Sequence, residues 1–230
     1  MLNATRDSVV YLFDVDNTLL DNDRFSSDLD TRLTQALGDA GRVRYRELYN
    51  ELRDSRGYAD YLQPLQHLRD DFVADPDLLQ LSTFLLDYPF ADRIYPGALE
   101  LLRSLSTSGP TVILSDGDVV FQPRKIRRSG LWDVVQGRVH VYLHKEYMLT
   151  AVQEAYPASH YIMVDDKPGL LSAIKQLMGD RVTTVFVRQG HYSTDAALAA
   201  APLKPDVSIG RIAQLAGHPL SMSTPLQEHG

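Results

Sequence analysis

Apolar positions along this chain fall into two kinds of pattern. Four short runs rich in β-branched and aromatic residues, Val9–Val15, Thr111–Ser115, Tyr161–Asp165 and Val182–Val187, read as buried strands. Helical spacing appears between the later runs, over Ala98–Thr107, Gln122–Ser129, Lys145–Ala155 and Gly169–Met178. Strands alternating with helices of this length predict a parallel sheet with right-handed crossovers. A shorter apolar run, Val139–Leu143, precedes Lys145, and Val207–Ile209 predicts a last short strand ahead of a terminal helix over Arg211–Ala216. Residues 218–230 read as a loose tail.

The stretch from Asn22 to Arg93 has a different character. Leu29, Leu33, Ala36 and Leu37 follow Ser26 and Ser27, either of which suits a helix N-cap. Val43, Leu48 and Leu52 continue the pattern, as do Leu62, Leu65 and Leu68, then Leu78, Leu79, Leu81 and Leu85. No strand interrupts them, which predicts roughly four helices inserted after the first strand, and Pro96-Gly97 marks the return. The expected fold is therefore α/β: a doubly wound parallel sheet built from residues 1–21 and 94–217, with an inserted all-helical subdomain over 22–93.

Chemistry gathers where strands end. The first run stops at Asp14-Val15-Asp16-Asn17-Thr18, where residues two apart on an extended chain point the same way. Neighbouring carboxylates repel, and the usual remedies are a shared proton or a bound cation, although the same residue types also make Asx-type turns. The second run delivers Ser115-Asp116-Gly117, which suits either an anion cradle or an ordinary turn. The third ends in Asp165-Asp166, a second carboxylate pair. Carboxylates from two strands suit a hard, oxygen-ligated cation such as Mg²⁺. In a parallel sheet these strand ends share one edge, the edge where ligands bind.

Composition narrows the function classes. A net charge of −7 over 230 residues argues against nucleic acid as the main partner. There are no cysteines, which removes thiol nucleophiles, disulfides and cysteine–zinc sites. No run approaches the roughly 20 apolar residues a membrane helix needs, and Met1–Ser8 has no signal-like apolar region, so a cytoplasmic protein is expected. The seven histidines show no ligand spacing. The basic run Arg124–Arg128 reads as a solvated helix face. Asn22, Arg24, Arg42, Arg44, Arg56 and Tyr58 are possible substrate contacts in the insert, while Tyr58–Tyr61 reads chiefly as packing between its helices.

The ordered set Asp14-Val15-Asp16-Asn17-Thr18, Ser115, Lys145 and Asp165-Asp166 resembles the four motifs of the haloacid dehalogenase-like superfamily, over residues 7–21 and 94–216. The helical insert sits where that family places a C1-type cap. Lys125 and Lys167 are rivals for the lysine, but Lys145 lies about midway between the second and fourth motifs, as the family pattern requires. The resemblance implies a Rossmann-like core and a Mg²⁺-dependent phosphatase acting on a small phosphorylated metabolite, with no membrane or nucleic-acid partner, as a monomer or homodimer. Asp14 would be the nucleophile, Asp16 the general acid and base, and Lys145 the cation that offsets charge. Asn17, Thr18, Ser115 and Asp116 would hold the substrate. Asp14, Asp165, Asp166 and the Asp16 carbonyl would hold the metal. Dehalogenase members lack an acid at the position of Asp16, so its presence favours phosphatase chemistry. A phosphotransferase or phosphomutase, and a catalytically quiet binding protein, are the competing expectations. After Asp165-Asp166 the chain offers Lys167 where relatives often carry another polar residue, which bears on how the metal is supported.

Overall fold

A computed structural model describes residues 8–72 and 76–218. The sheet comprises β1 (Val9–Phe13), β2 (Thr111–Asp116), β3 (Val139–Tyr142), β4 (His160–Asp165), β5 (Val182–Val187) and β6 (Val207–Ile209). Between β1 and β2 run α1 (Asn22–Arg56), α2 (Gln63–Asp71), α3 (Pro76–Asp87) and α4 (Ala98–Leu105). The remaining helices are α5 (Phe121–Arg128), α6 (Leu131–Val134), α7 (Leu149–Ala155), α8 (Pro168–Met178) and α9 (Asp195–Ala200). All strand pairs are parallel, in the order β3-β2-β1-β4-β5-β6. This is the doubly wound arrangement, and its order reverses between β1 and β4, where the crevice for a ligand opens.

Alternate residues of each strand serve opposite faces. Tyr11, Phe13, Ile113, Ile162 and Val164 join Leu101 and Leu102 of α4 and Ile126 of α5 on one side. Val10, Leu12, Val112, Leu114 and Met163 meet Val152 of α7 and Leu171 and Ile174 of α8 on the other. Burial on both faces explains why these strands read as continuous apolar runs. The run ending at Val15 is cut short at Phe13, because Val15 turns away to accept N–H bonds from Leu19 and Leu20.

The helical insert is reached through two short crossings. Leu20 bridges Ile94, and Asp21 donates its N–H to the Arg93 carbonyl at 2.7 Å. Within α1 the chain breaks at Gly38 (φ 71°, ψ −179°), a conformation open to glycine, so the described residues of the insert form four α-helical rods. The helix begins earlier than Ser26 or Ser27 would have it. Asp21 caps it by accepting from Arg24 N at 2.8 Å, and Asn17 Oδ1 accepts from the N–H groups of Asn22 and Asp23. Two side chains from the preceding turn therefore satisfy the first-turn amides, and the serines lie inside the helix.

Not every predicted apolar position is inside. In α3, Leu78, Leu81 and Leu85 keep one buried stripe, while Leu79 lies off that stripe and is 73 % exposed. Val43 is exposed for the same reason beside the buried Gly41, Tyr45 and Leu48. Two predicted helix starts are tighter turns: Lys145–Met148 and Ile212–Gly217 are 3₁₀. The expected tail, apart from His218, and the polar segment before Ser8 lie outside the described residues.

Candidate active site

β1 and β4 lie side by side at the sheet's reversal point, and Asp14 N–H donates to the Val164 carbonyl at 3.0 Å, locking one strand end to the other. Asp14, Asp165 and Asp166, all buried, bring one carboxylate oxygen each to within 4.8 Å of one another. Lys145 reaches the cluster from the turn after β3. Its Nζ lies 2.5 Å from Asp14 Oδ1 and 2.7 Å from Asp165 Oδ2, with no exposure to solvent. Asp116 Oδ1 accepts the Lys145 backbone N–H at 2.8 Å and so fixes where that lysine leaves the chain.

Three buried carboxylates face one fully buried ammonium here, and the electrostatics follow. Burial opposes charge on Lys145, but Asp14, Asp165 and Asp116 outweigh it and hold the lysine protonated. Asp165 is pushed up to about 6, by burial first, with Lys145 opposing and Asp14 adding to the rise. Asp166 is pushed up to about 9, by burial and then by Asp165 and Asp14. Both Asp166 oxygens are buried without a hydrogen-bond partner. An unpartnered buried carboxylate beside two others is the donor set a hard cation takes, and Mg²⁺ fits it on oxygen chemistry and charge. Lys167, which stands over the Tyr192 ring at 5.4 Å, is also raised: burial opposes its charge, and Asp14 and Asp165 favour it.

Asp16 belongs to a different neighbourhood. Lys125 Nζ donates to both its carboxylate oxygens at 2.8 and 3.0 Å, and Gln122 Nε2 lies 3.3 Å from Oδ2. Gln122 also donates to Ser115 Oγ at 3.0 Å, linking that hydroxyl to Asp16. Thr18 Oγ1 is buried with no partner, a donor awaiting an acceptor. Asn17 and Asp116 are placed differently from the two hydroxyls. Asn17, at φ 58°, uses its amide oxygen on the first turn of α1 and its Nδ2 on Asp23, at 3.0 Å. Gly190, at φ 70°, packs so closely on it that a Cβ would lie 2.4 Å from the Asn17 side chain. The polar groups of both residues are thus engaged within the protein, where they shape the loops around the site.

Of the basic run in α5, Arg124, Arg127 and Arg128 are exposed as a solvated face would have them, and Lys125 is the departure. Arg124 and Arg128 grip the end of α3, through the Leu86 and Asp87 carbonyls and the Asp87 carboxylate, the favourable end of that helix for cations. Lys125 is wholly buried between them. Phe121, Gln122, Lys125 and Ile126 form one buried stripe at helical spacing, and a lysine on an apolar stripe was the signal that could have found it. Arg24, Arg42, Arg44 and Arg56 pair with Asp28, Asp39, Asp71 and Asp60 on the insert. Tyr61 packs against Phe25, Tyr49 and Phe121, as expected of that stretch.

A family model for a haloacid dehalogenase-like hydrolase matches residues 10–177. The chain belongs to this family. A haloacid dehalogenase-like hydrolase from Burkholderia xenovorans is 54% identical to it, with a TM-score of 0.86 over 92% of this chain and 99% of that one. Two other solved structures share the fold at low identity. The HAD-hydrolase YfnB of Bacillus subtilis, described bound to magnesium, is 16% identical (TM-score 0.61; 92% and 98% covered). An L-2-haloacid dehalogenase from Xanthobacter autotrophicus is 19% identical (TM-score 0.56; 90% and 96% covered). No curated protein matches the chain. As a haloacid dehalogenase-like hydrolase the protein has the doubly wound core predicted for it. Its acidic cluster lies at the sheet edge where such a core binds ligands. Among the described residues no helix is long and apolar enough to cross a membrane.

Proposed function

We propose that the protein hydrolyses a small organic phosphate monoester, with Mg²⁺ as cofactor, through a phosphorylated Asp14. The observation that carries this reading is the separation of Asp16 from the acidic cluster. Its carboxylate is turned to Lys125 and Gln122, while Asp14, Asp165 and Asp166 gather on the other side. One carboxylate is thereby available for proton transfer and the others for nucleophilic attack and cation binding, a division that ester hydrolysis needs and carbon–halogen cleavage does not.

Asp14, Asp165, Asp166 and the Asp16 carbonyl would hold Mg²⁺, which supplies the charge neutralisation an anionic phosphoryl group needs beside three carboxylates. An Asp14 oxygen attacks phosphorus, and the bond to the ester oxygen breaks as that oxygen takes a proton from Asp16. A water oxygen then attacks phosphorus, its proton passes to Asp16, and the bond to Asp14 breaks to release inorganic phosphate. Lys145 keeps its proton throughout and offsets charge on Asp14 and the phosphoryl group. Thr18 and Ser115 offer hydroxyls to the non-bridging oxygens, while Asn17 and Asp116 hold the loops in place. The helical insert, seated on α5 through Arg124 and Arg128, favours a small soluble metabolite over a folded phosphoprotein.

The test is phosphate release from a panel of sugar phosphates, nucleotides and phosphoglycolate, with and without Mg²⁺, for wild type and Asp14→Asn. Mg²⁺-dependent release by wild type alone is expected. Halide release from 2-haloacids, with no phosphate released from any ester, would overturn the reading.

A further inference from the structure

Lys125 is a full-length cation with no solvent contact, outside the acidic cluster, and the mechanism above leaves it unused. Burying an ammonium is costly unless its protons are all satisfied. Here they are. Asp16 Oδ1, Asp16 Oδ2 and Asn22 Oδ1 lie at 2.8, 3.0 and 3.0 Å, matching the three donors a lysine has. Four aromatic rings surround the same nitrogen, Phe25, Tyr61, Phe90 and Phe121, with centroids 5.5–5.8 Å away. Rings at that distance attract a cation through their negative faces.

Two features separate this arrangement from a simple internal ion pair. Its carboxylate is not buried with it: the Asp16 side chain is 28 % exposed, so one end of the pair reaches solvent while the other is sealed. The groups around the ammonium also come from different parts of the fold. Asn22, Phe25 and Tyr61 belong to the helical insert, Phe90 to the turn that returns from it, and Phe121 to α5 of the core. The ammonium therefore has its full set of partners only when the insert is seated on the core.

We infer that Lys125 is a positioning residue for Asp16, holding its carboxylate in one orientation and making that orientation depend on the seating of the helical insert. A carboxylate just past a strand end has free rotation about χ1 and χ2, and a two-oxygen contact from a fixed donor removes it. Asp16 must carry a proton to serve the leaving oxygen, and in that form its unprotonated oxygen still accepts from Lys125, so the acid is held in one orientation and acts more often in the reactive geometry. The inference rests on the proposed phosphatase reading, in which Asp16 serves the leaving group.

Leaving-group dependence tests it. p-Nitrophenolate departs without a proton, whereas the alkoxide from glycerol phosphate needs one. For Lys125→Met, kcat should fall on the order of 10²-fold with glycerol phosphate and only about threefold with p-nitrophenyl phosphate, with KM little changed. Lys125→Arg, which keeps charge and donors, should recover part of the loss. Placed in an Asp16→Asn background, Lys125→Met should cost little more, because the two act as one unit. That double variant removes both charges together and so keeps the fold testable if the single variant is unstable. Equal losses on both substrates, or additive losses in the double variant, would overturn the inference and leave the phosphatase reading intact. Failure of the wild type to release phosphate from either substrate would instead remove that reading, and this inference with it.

Discussion

Asp14 and Asp16 are two residues apart in the chain and live in opposite electrostatic settings. On the Asp14 side, Asp14 and Asp165 share Lys145, and both Asp166 oxygens are buried without a hydrogen-bond partner. On the Asp16 side, one carboxylate meets one lysine, and every donor of that lysine is used. The first side leaves a buried carboxylate without a partner, and the second satisfies every donor of its lysine. A β-strand alternates its faces, but the turn beginning at Val15 is what sends the two carboxylates to different partners. Division of labour between near neighbours here comes from a change in backbone direction, since the two residues are chemically identical.

Four experiments would break or sharpen that contrast. The largest effect is expected from Asp14→Asn, which removes the proposed nucleophile and should abolish phosphate release while leaving a folded protein in circular dichroism. Retained turnover would dissolve the distinction between the sides. Next comes Lys145→Met, which strips the acidic side of its cation. Breaking one partner out of a buried pair costs about 3–5 kcal/mol, so a large drop in urea midpoint is expected. A small drop would mean that the cluster is not held together by this lysine.

Asp166→Asn should act in the reverse direction. Removing a buried, unpartnered carboxylate should stabilise the metal-free protein by about 1–3 kcal/mol and abolish any Mg²⁺-dependent rise in Tm. Its pH signature has a definite sign. With the folded-state carboxyl pushed up to about 9 and the unfolded one ordinary, the metal-free wild type should lose stability as pH rises between about 4 and 9, and Asp166→Asn should flatten that loss. A variant less stable than wild type at every pH would refute the account of Asp166 as an unpartnered buried carboxylate.

The smallest effect is expected at Asp206, a carboxylate of the satisfied kind far from the site. Burial pushes this group up, but bonds from Thr184 N–H, the Thr184 hydroxyl and Lys175 more than compensate, so it is lowered overall. Stability from it is present above the ordinary carboxyl range and lost as pH falls through the lowered value. Asp206→Asn should therefore destabilise at neutral pH by about 1 kcal/mol, given its partial exposure, and the difference should shrink in acid. Thermal melts from pH 2 to 7 would show it, and an unchanged difference across that range would contradict the assignment.

Much of this protein was legible before its structure. The buried runs became strands β1, β2, β4 and β5, because a parallel strand covered on both faces must be apolar throughout. Carboxylates at the ends of β1 and β4 were readable because strand ends in such a sheet converge on one edge, whatever the rest of the chain does. The change of period after Asp21 likewise marked where the helices α1, α2 and α3 follow the first strand. Tertiary structure decided what local pattern does not encode. Arg124 and Arg128 of α5 found the Leu86 and Asp87 carbonyls and the Asp87 carboxylate on α3 while staying exposed, and Lys125 was taken inside because Asp16 and Asn22 could satisfy it there. Asn17 was drawn into helix capping, and Asp166 was left unpaired, by contacts with neighbours that are close only in the folded chain. Periodicity and strand ends are properties of a single segment, so sequence determines them alone. The partner of a charge is a property of two segments, and only folding brings the second one near.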